Sequence, residues 1–436
     1  MVTGRSLFSQ RNQKIDTENA FKVGPHISAI EKQGHSVVKL NLGEPDFDIP
    51  KPIEDEVIRQ LRNNNTHYCD PKGLPALRMA IAKQICETRQ LDVSPDQVVV
   101  FPGGKPSIGF AQQVYCDPGD EIIYPSPGFP IYESFIDYVG AVAKPLHLSE
   151  DQDFSFTAEQ LDSLITDRTK LIYINFPSNP TGGIASEEQL KAIAEVINRR
   201  CGPEVRVYSD EIYEYITFDG KKHISIATMP GMAERTIIAS GMSKTFAWTG
   251  GRIGYAVFPT VEEADTFKNL NINYFSCVPP YNQQGAVVAL ENPDVMDTVR
   301  KMVDTFEERR DWIYSALNAI DGISTKKPGG AFYIFPNISK VCESLGVIDA
   351  FNNLPGHVQE TTSPSTLFQM FALYHHHVAV MDRRSFGKID VEGKHYLRLS
   401  YAAEMSQLQE GIKRIEAATK DKAGFAEFIS KGKNFC

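Results

Sequence analysis

The sequence of 436 residues contains no run of 18 apolar residues, so it offers no candidate for a membrane-spanning helix. Its opening, MVTGRSLFSQRNQKIDTENAF, lacks an apolar signal core. Cysteine is sparse. Cys69, Cys86, Cys116, Cys201, Cys277, Cys342 and Cys436 include no close-spaced pair, and seven is not the even count of a disulfide framework. These absences lead us to expect free thiols and a cytoplasmic protein. Positive charge is also short. The formal net charge is -10 and the lysines and arginines are scattered, which weighs against nucleic acid or a membrane surface as partner. There is no GxGxxG turn followed by a suitably placed acid, so a nicotinamide cofactor is not expected, and no Walker-type phosphate loop. The adjacent histidines of ALYHHHVAV (372–380) are expected at a partly exposed helix end. A metal site would need a further ligand and a reason for their adjacency, so no metal is expected.

What is present is an ordinary globular composition, 42% hydrophobic and 23% charged, in a chain long enough for two domains. From about residue 74 helix-like and strand-like segments alternate. LPALRMAIAKQICETRQ precedes the strand-like QVVVF, and the helix-like SIGFAQQVYC precedes DEIIYP. KLIYINF (170–176), EVRVYSD (204–210), RTIIAS (235–240) and RIGYAVF (252–258) read as further strands, with a helix at SEEQLKAIAEVINRR (186–200). This alternation predicts an α/β fold with a mostly parallel central sheet. The near-continuous Val, Ile and Tyr runs predict strands buried on both faces. A long helix is expected over 295–320, and AFYIFP, YLRLSY and a terminal helix near 405–419 predict a smaller α+β domain. We therefore expect a large domain over 61–309 and a small one built from 1–60 and 310–436.

In an open α/β sheet, ligands bind beyond the carboxyl ends of the strands, with phosphates at helix N-termini. Several polar residues fall at such positions. VVVFPGGKPSIGF reads as strand, glycine turn and helix start, leaving backbone N–H groups at Gly104 and Lys105 for a phosphate, although the same turn serves equally as a plain tight connection. VYSDEIYEYI puts Asp210 at a strand end with Tyr213 three residues on, and a buried aspartate there needs a cationic or hydrogen-bonding partner. INFPSNPTGG places Asn179 in a turn after another strand. ASGMSKTFAWTGGRIGY holds Lys244 among small residues, with Arg252 eight positions on. A lysine beside a desolvating pocket loses its proton more readily and can form a Schiff base, and a guanidinium can grip a phosphate bidentately. Singly these are a solvated lysine, a structural ion pair and a helix cap. Together they point to a phosphorylated aldehyde, pyridoxal 5'-phosphate.

Beyond these positions the chain resembles the class I and II pyridoxal-phosphate aminotransferases, the fold type I superfamily of aspartate aminotransferase. The likeness runs from LNLGEPDFDIPKPI through THYCDPKGLPALRMAIA, SPGFPIY, FPSNPTGG, YSDEIY, SGMSKTFAWTGGRIGY and PGGAFYIFP to YLRLSYA. The resemblance implies that Lys244 carries the cofactor aldehyde and later shuttles the proton, that Asp210 holds the pyridine nitrogen protonated, and that Asn179 and Tyr213 bond its phenolic oxygen. It implies a phosphate cradle of Gly104, Lys105, Ser243 and Arg252, with Phe129 stacked on the ring. Arg398, with Gly43 and Asn179, is expected at the substrate carboxylate. Tyr68 matches a tyrosine that reaches the phosphate of the neighbouring subunit's cofactor, which implies a homodimer with shared sites. The implied reaction moves an amino group from an L-amino acid to a 2-oxo acid in two half-reactions through pyridoxamine phosphate, with aspartate/glutamate or aromatic specificity. A lyase of the same fold type, eliminating a side-chain group, is the alternative.

Three stretches depart from the family pattern. Gly241 stands where some members carry a phosphate-binding serine, and CVPPYNQQG (277–285) replaces a small, hydroxyl-rich segment. VAVMDRRSFG (378–387) carries Met381, Asp382, Arg383 and Arg384 where valine or isoleucine, proline and glycine are commoner. Either arginine would neutralise a distal substrate carboxylate, or both would pair with Asp382 or solvent.

Overall fold

A computed structural model describes residues 7–15, 18–389 and 393–432; Cys436 lies outside them. The strands in chain order begin with β1 (Val38–Lys39), β2 (Val98–Phe101), β3 (Glu121–Ser126), β4 (Val142–His147) and β5 (Thr169–Asn175). They continue with β6 (Arg206–Asp210), β7 (Thr236–Gly241), β8 (Gly254–Val257), β9 (Tyr333–Ile334), β10 (Val378–Ala379), β11 (Met381–Asp382) and β12 (Leu397–Ser400). Seven of them form the central sheet in the order β2-β8-β7-β6-β5-β3-β4. The neighbours from β7 to β4 run parallel, and β8 alone is reversed, antiparallel to both β2 and β7.

Successive residues of a strand face opposite sides of the sheet, and here both sides are covered. Ile122 and Tyr124 join one cluster with Leu171, Tyr173 and Tyr208, whereas Ile123 joins another with Ile172, Ile174 and Val207. Fully burying such a side chain stabilises by about 1.5–3 kcal/mol, which is why apolar residues run on without alternation. The covering helices carry their own signals. In Glu187–Arg200, Ser186 Oγ accepts from Gln189 N at 3.2 Å, acids open the first turn and Arg199 and Arg200 close the last, complementing the helix dipole. Its Leu190, Ile193, Ala194 and Ile197 form the buried face, at the spacing of one helix side.

The smaller α+β unit contains the antiparallel sheet β11-β12-β9 and the helices Pro364–His376 and Met405–Lys420. The segment before the large sheet joins this unit: β1 pairs parallel with β10, and Leu40 N donates to Ala379 O at 2.9 Å. The helices Lys51–Arg62 and Pro293–Asn318 run unbroken through 60–61 and 309–310, so the connections there are continuous helix. His375 and His376 occupy the last turn of Pro364–His376, and His377 caps it in a left-handed conformation with φ 52°. Among the described residues no helix is long and apolar enough to cross a membrane, and no cluster could hold a metal ion.

Candidate active site

The carboxyl ends of β2, β3, β5, β6 and β7 share one rim, as parallel strands must. β8 runs the other way, so the residues that precede it reach this rim too. Its Gly254 registers with Gly241 on one side and Phe101 on the other, and this brings Arg252 beside the glycine turn. A Cβ on Gly103 would stand 2.1 Å from an Arg252 guanidinium nitrogen, and Gly103 has φ 90°, so only glycine suits this turn. Arg252 itself is left-handed at φ 53°, held by Nη1 donating to Thr249 O at 2.6 Å. Such backbone strain gathers at functional sites.

At this rim lies a cavity of about 410 Å³. It is lined by Lys244, Asp210, Tyr213, Asn179, Gly104, Lys105, Phe129, Ser243, Arg252, Gly43 and Arg398, every expected site residue except Tyr68. Tyr68 stands apart, 88% exposed. The chain also brings in residues that sequence reasoning missed: Glu18 and Phe21 from the start of helix Asn19–Lys32, Tyr208, Ser240 and Tyr333. Asn175 at the end of β5 faces Asp210 in register, donates from Nδ2 to Asp210 O at 3.1 Å and accepts from Asn179 N at 3.0 Å. An asparagine at a strand end one rung from the aspartate was the only signal for it.

Lys244 follows β7 in the short helix Met242–Thr245, and its Nζ donates to Gly43 O at 2.5 Å. Burial lowers its amine from the ordinary 10.5 to about 8, with Arg398 adding to the effect and Glu18 opposing it. Asp210 is pushed up to about 6 by burial, against hydrogen bonds from Tyr132 and Ile212 N. Next to it Glu211 is fully buried yet stays ionised, because Arg89 and His223 outweigh the burial that opposes its charge. Tyr213 Oη lies 2.9 Å from Tyr333 Oη, and burial raises the Tyr213 phenol well above its ordinary value. Arg398 is buried on β12, donates from Nη1 to Asn179 Oδ1 at 3.2 Å and from Nη2 to Asn41 O, and leaves its Nε without a partner. A guanidinium has the planar fork of donors that can take a carboxylate bidentately.

Neither arginine of the MDRRSF stretch lines this cavity. The Arg383 guanidinium is buried and donates to Gly387 O at 3.0 Å, Lys388 O at 3.0 Å and Ser126 Oγ at 3.1 Å. Arg384 donates to Glu360 O. Asp382 instead bonds Thr366 and Ser385, so the buried Arg383 takes neither expected arrangement, whereas Arg384 is exposed to solvent as the second one had it.

The description "Aminotransferase class I and II" matches residues 35–415 as a family. The chain belongs to this family. Among relatives of this aminotransferase, the aspartate aminotransferase of Bacillus subtilis (strain 168) is 35% identical over 390 residues, covering 89% of this chain and 92% of that one. The crystal structure of the aspartate aminotransferase from Rhizobium meliloti superposes with a TM-score of 0.84 at 31% identity, covering 95% of this chain and 99% of that one. The aromatic aminotransferase from Pyrococcus horikoshii OT3 superposes with a TM-score of 0.79 at 30% identity, covering 91% and 100%. The fold is that of the fold type I pyridoxal-phosphate enzymes. The residues of this aminotransferase fit that cofactor: the cavity holds an amine made easier to deprotonate, a buried carboxylate suited to a ring cation, and an open turn where a Cβ on Gly104 would meet nothing within 4 Å.

Proposed function

We propose that this aminotransferase binds pyridoxal 5'-phosphate through Lys244 and moves the amino group of an aspartate-, glutamate- or aromatic-type amino acid to a 2-oxo acid. The observation that carries the reading is the meeting of Lys244, Asp210 and Arg398 in one cavity. When bound, the cofactor supplies an electron sink for the bond between the substrate's Cα and its proton. Asp210 keeps the ring nitrogen protonated by placing a charge in a desolvated site. Asn179 and Tyr213 bond the phenolic oxygen. The backbone amides of Gly104 and Lys105 open the helix Lys105–Tyr115 and, with Ser243 and Arg252, hold the phosphate. Phe129 covers the ring. Arg398 grips the α-carboxylate, helped by Asn179 and Gly43.

Once the substrate's amino group had displaced it from the aldehyde, Lys244 Nζ would be a free amine lowered to about 8, able to hold the Cα proton near neutrality. The second half-reaction reverses these steps with another 2-oxo acid. The breadth of substrate class agrees with relatives named for aspartate and for aromatic substrates.

The 88% exposure of Tyr68 leaves it free for the contact the family resemblance implies, a homodimer in which Tyr68 reaches the partner's cofactor. A screen of amino donors against 2-oxo acid acceptors tests the activity, and light scattering tests the dimer. No amino transfer, with pyruvate and ammonia released from cysteine-like substrates, would replace the reading with elimination.

A further inference from the structure

Glu18 is the residue ahead of helix Asn19–Lys32, yet its carboxylate makes no capping bond to that helix. It turns into the cavity, where it forms an ion pair with Lys105, the two side chains being 17% and 45% exposed. The Lys105 ammonium lies between two rings, 5.4 Å from the centroid of Phe21 and 5.9 Å from that of Phe129. The other cations lining the cavity are Lys244, Arg252 and Arg398. On the reading above they serve the cofactor aldehyde, its phosphate and the substrate α-carboxylate. Glu44 is engaged by Thr249. Lys105 is thus the cation left to meet a second carboxylate, and this protein meets it with its own.

We propose that Glu18 is a specificity-determining residue: its carboxylate takes the Lys105 contact that the side-chain carboxylate of an acidic substrate would otherwise make. Amino acids with uncharged side chains enter with the pair intact and pack against Phe21. Acidic ones bind only by displacing Glu18, which leaves its carboxylate to find water. The proposal rests on the reading of the cavity as the substrate site, with Arg398 at the α-carboxylate.

The test compares two unreactive ligands of the cofactor-loaded enzyme, succinate and 3-phenylpropionate, titrated by calorimetry. In Glu18→Gln the succinate dissociation constant should fall roughly five- to tenfold, the scale of one half-buried charge pair, while 3-phenylpropionate changes less than about twofold. In the double variant Glu18→Gln/Lys105→Met the succinate gain should vanish. Turnover of aspartate relative to phenylalanine should follow the same pattern. Unchanged succinate binding in Glu18→Gln, or an equal shift for both ligands, would overturn the role of Glu18 and leave the cavity assignment standing. Failure of both ligands to bind any form would overturn the cavity assignment and this inference with it.

Discussion

The Tyr132 hydroxyl donates a hydrogen bond of 2.7 Å to Asp210 Oδ2 inside the core. This bond favours the ionised carboxylate, against the burial that raises it to about 6. In Tyr132→Phe the carboxyl should climb further. The loss of cofactor affinity should therefore be larger at pH 6, where more of the variant is protonated, than at pH 8. We expect about a tenfold loss at the lower pH, as for one hydrogen bond to a charged group. Titration of cofactor-free protein with pyridoxal phosphate measures it, and the same ratio at both pH values would remove Tyr132 from this role.

Lys244→Ala should abolish the visible absorption of covalently held cofactor. The same position makes a stability prediction. Burial lowers the amine to about 8 from 10.5, so the folded protein favours the neutral form. The stability gained from this preference is complete above pH 10.5 and is lost as the pH falls through about 8. Cofactor-free Lys244→Met should accordingly exceed wild type at pH 7 by up to about 3 kcal/mol. The advantage should fade above pH 10.5. Thermal unfolding across pH reads it out, and a pH-independent difference would contradict it.

Arg398→Ala should raise KM for amino acids by about a hundredfold, the loss of a charged bidentate contact, while cofactor affinity stays near wild type. Arg398→Lys should recover little, because a point charge does not reproduce the planar fork. Unaltered saturation would place the carboxylate elsewhere.

Gly43→Ala should damage the site through crowding. A Cβ there would fall 1.8 Å from Tyr333 Oη, which bonds Tyr213. Either the tyrosine or the strap from β1 must shift, a change that costs about 1–3 kcal/mol. Activity should fall in Gly43→Ala and partly return in Gly43→Ala/Tyr333→Phe. No recovery in the double variant would assign the loss to the backbone.

Arg383→Met should destabilise the fold by about 1–3 kcal/mol, because the buried Ser126 hydroxyl and the partly buried carbonyls of Gly387 and Lys388 lose a donor. It should lower turnover of acidic and aromatic substrates in equal proportion. A selective loss for acidic substrates would return this arginine to the substrate site.

Most of the central sheet was legible because strands covered on both faces leave continuous apolar runs. Val142–His147 was not: VAKPLH carries a lysine and a proline, which an edge strand such as β4 tolerates. The reversal of β8 was equally hidden, since RIGYAVF reads the same in either direction of pairing. In the site, residues at strand ends were legible from local pattern, because each sits just past its own apolar run. Tyr132 and Tyr333 were not, because each reaches the cavity region from a distant part of the chain, Tyr132 to Asp210 and Tyr333 to Tyr213. Glu18 lies in a stretch with no local motif and gains its meaning only when Lys105 arrives opposite.

The reversed strand has a mechanical meaning for the chemistry. A Cβ on Gly254 would fall 2.4 Å from the carbonyl carbon of Gly103, and one on Gly241 would fall 2.9 Å from Gly254 Cα. Three main-chain segments therefore rest directly on one another, with no side chain as a spacer between them. The span from the Gly103 turn to Lys244 is gauged by bare backbone, so repacking elsewhere in the core can alter what enters the cavity while this span keeps its dimensions.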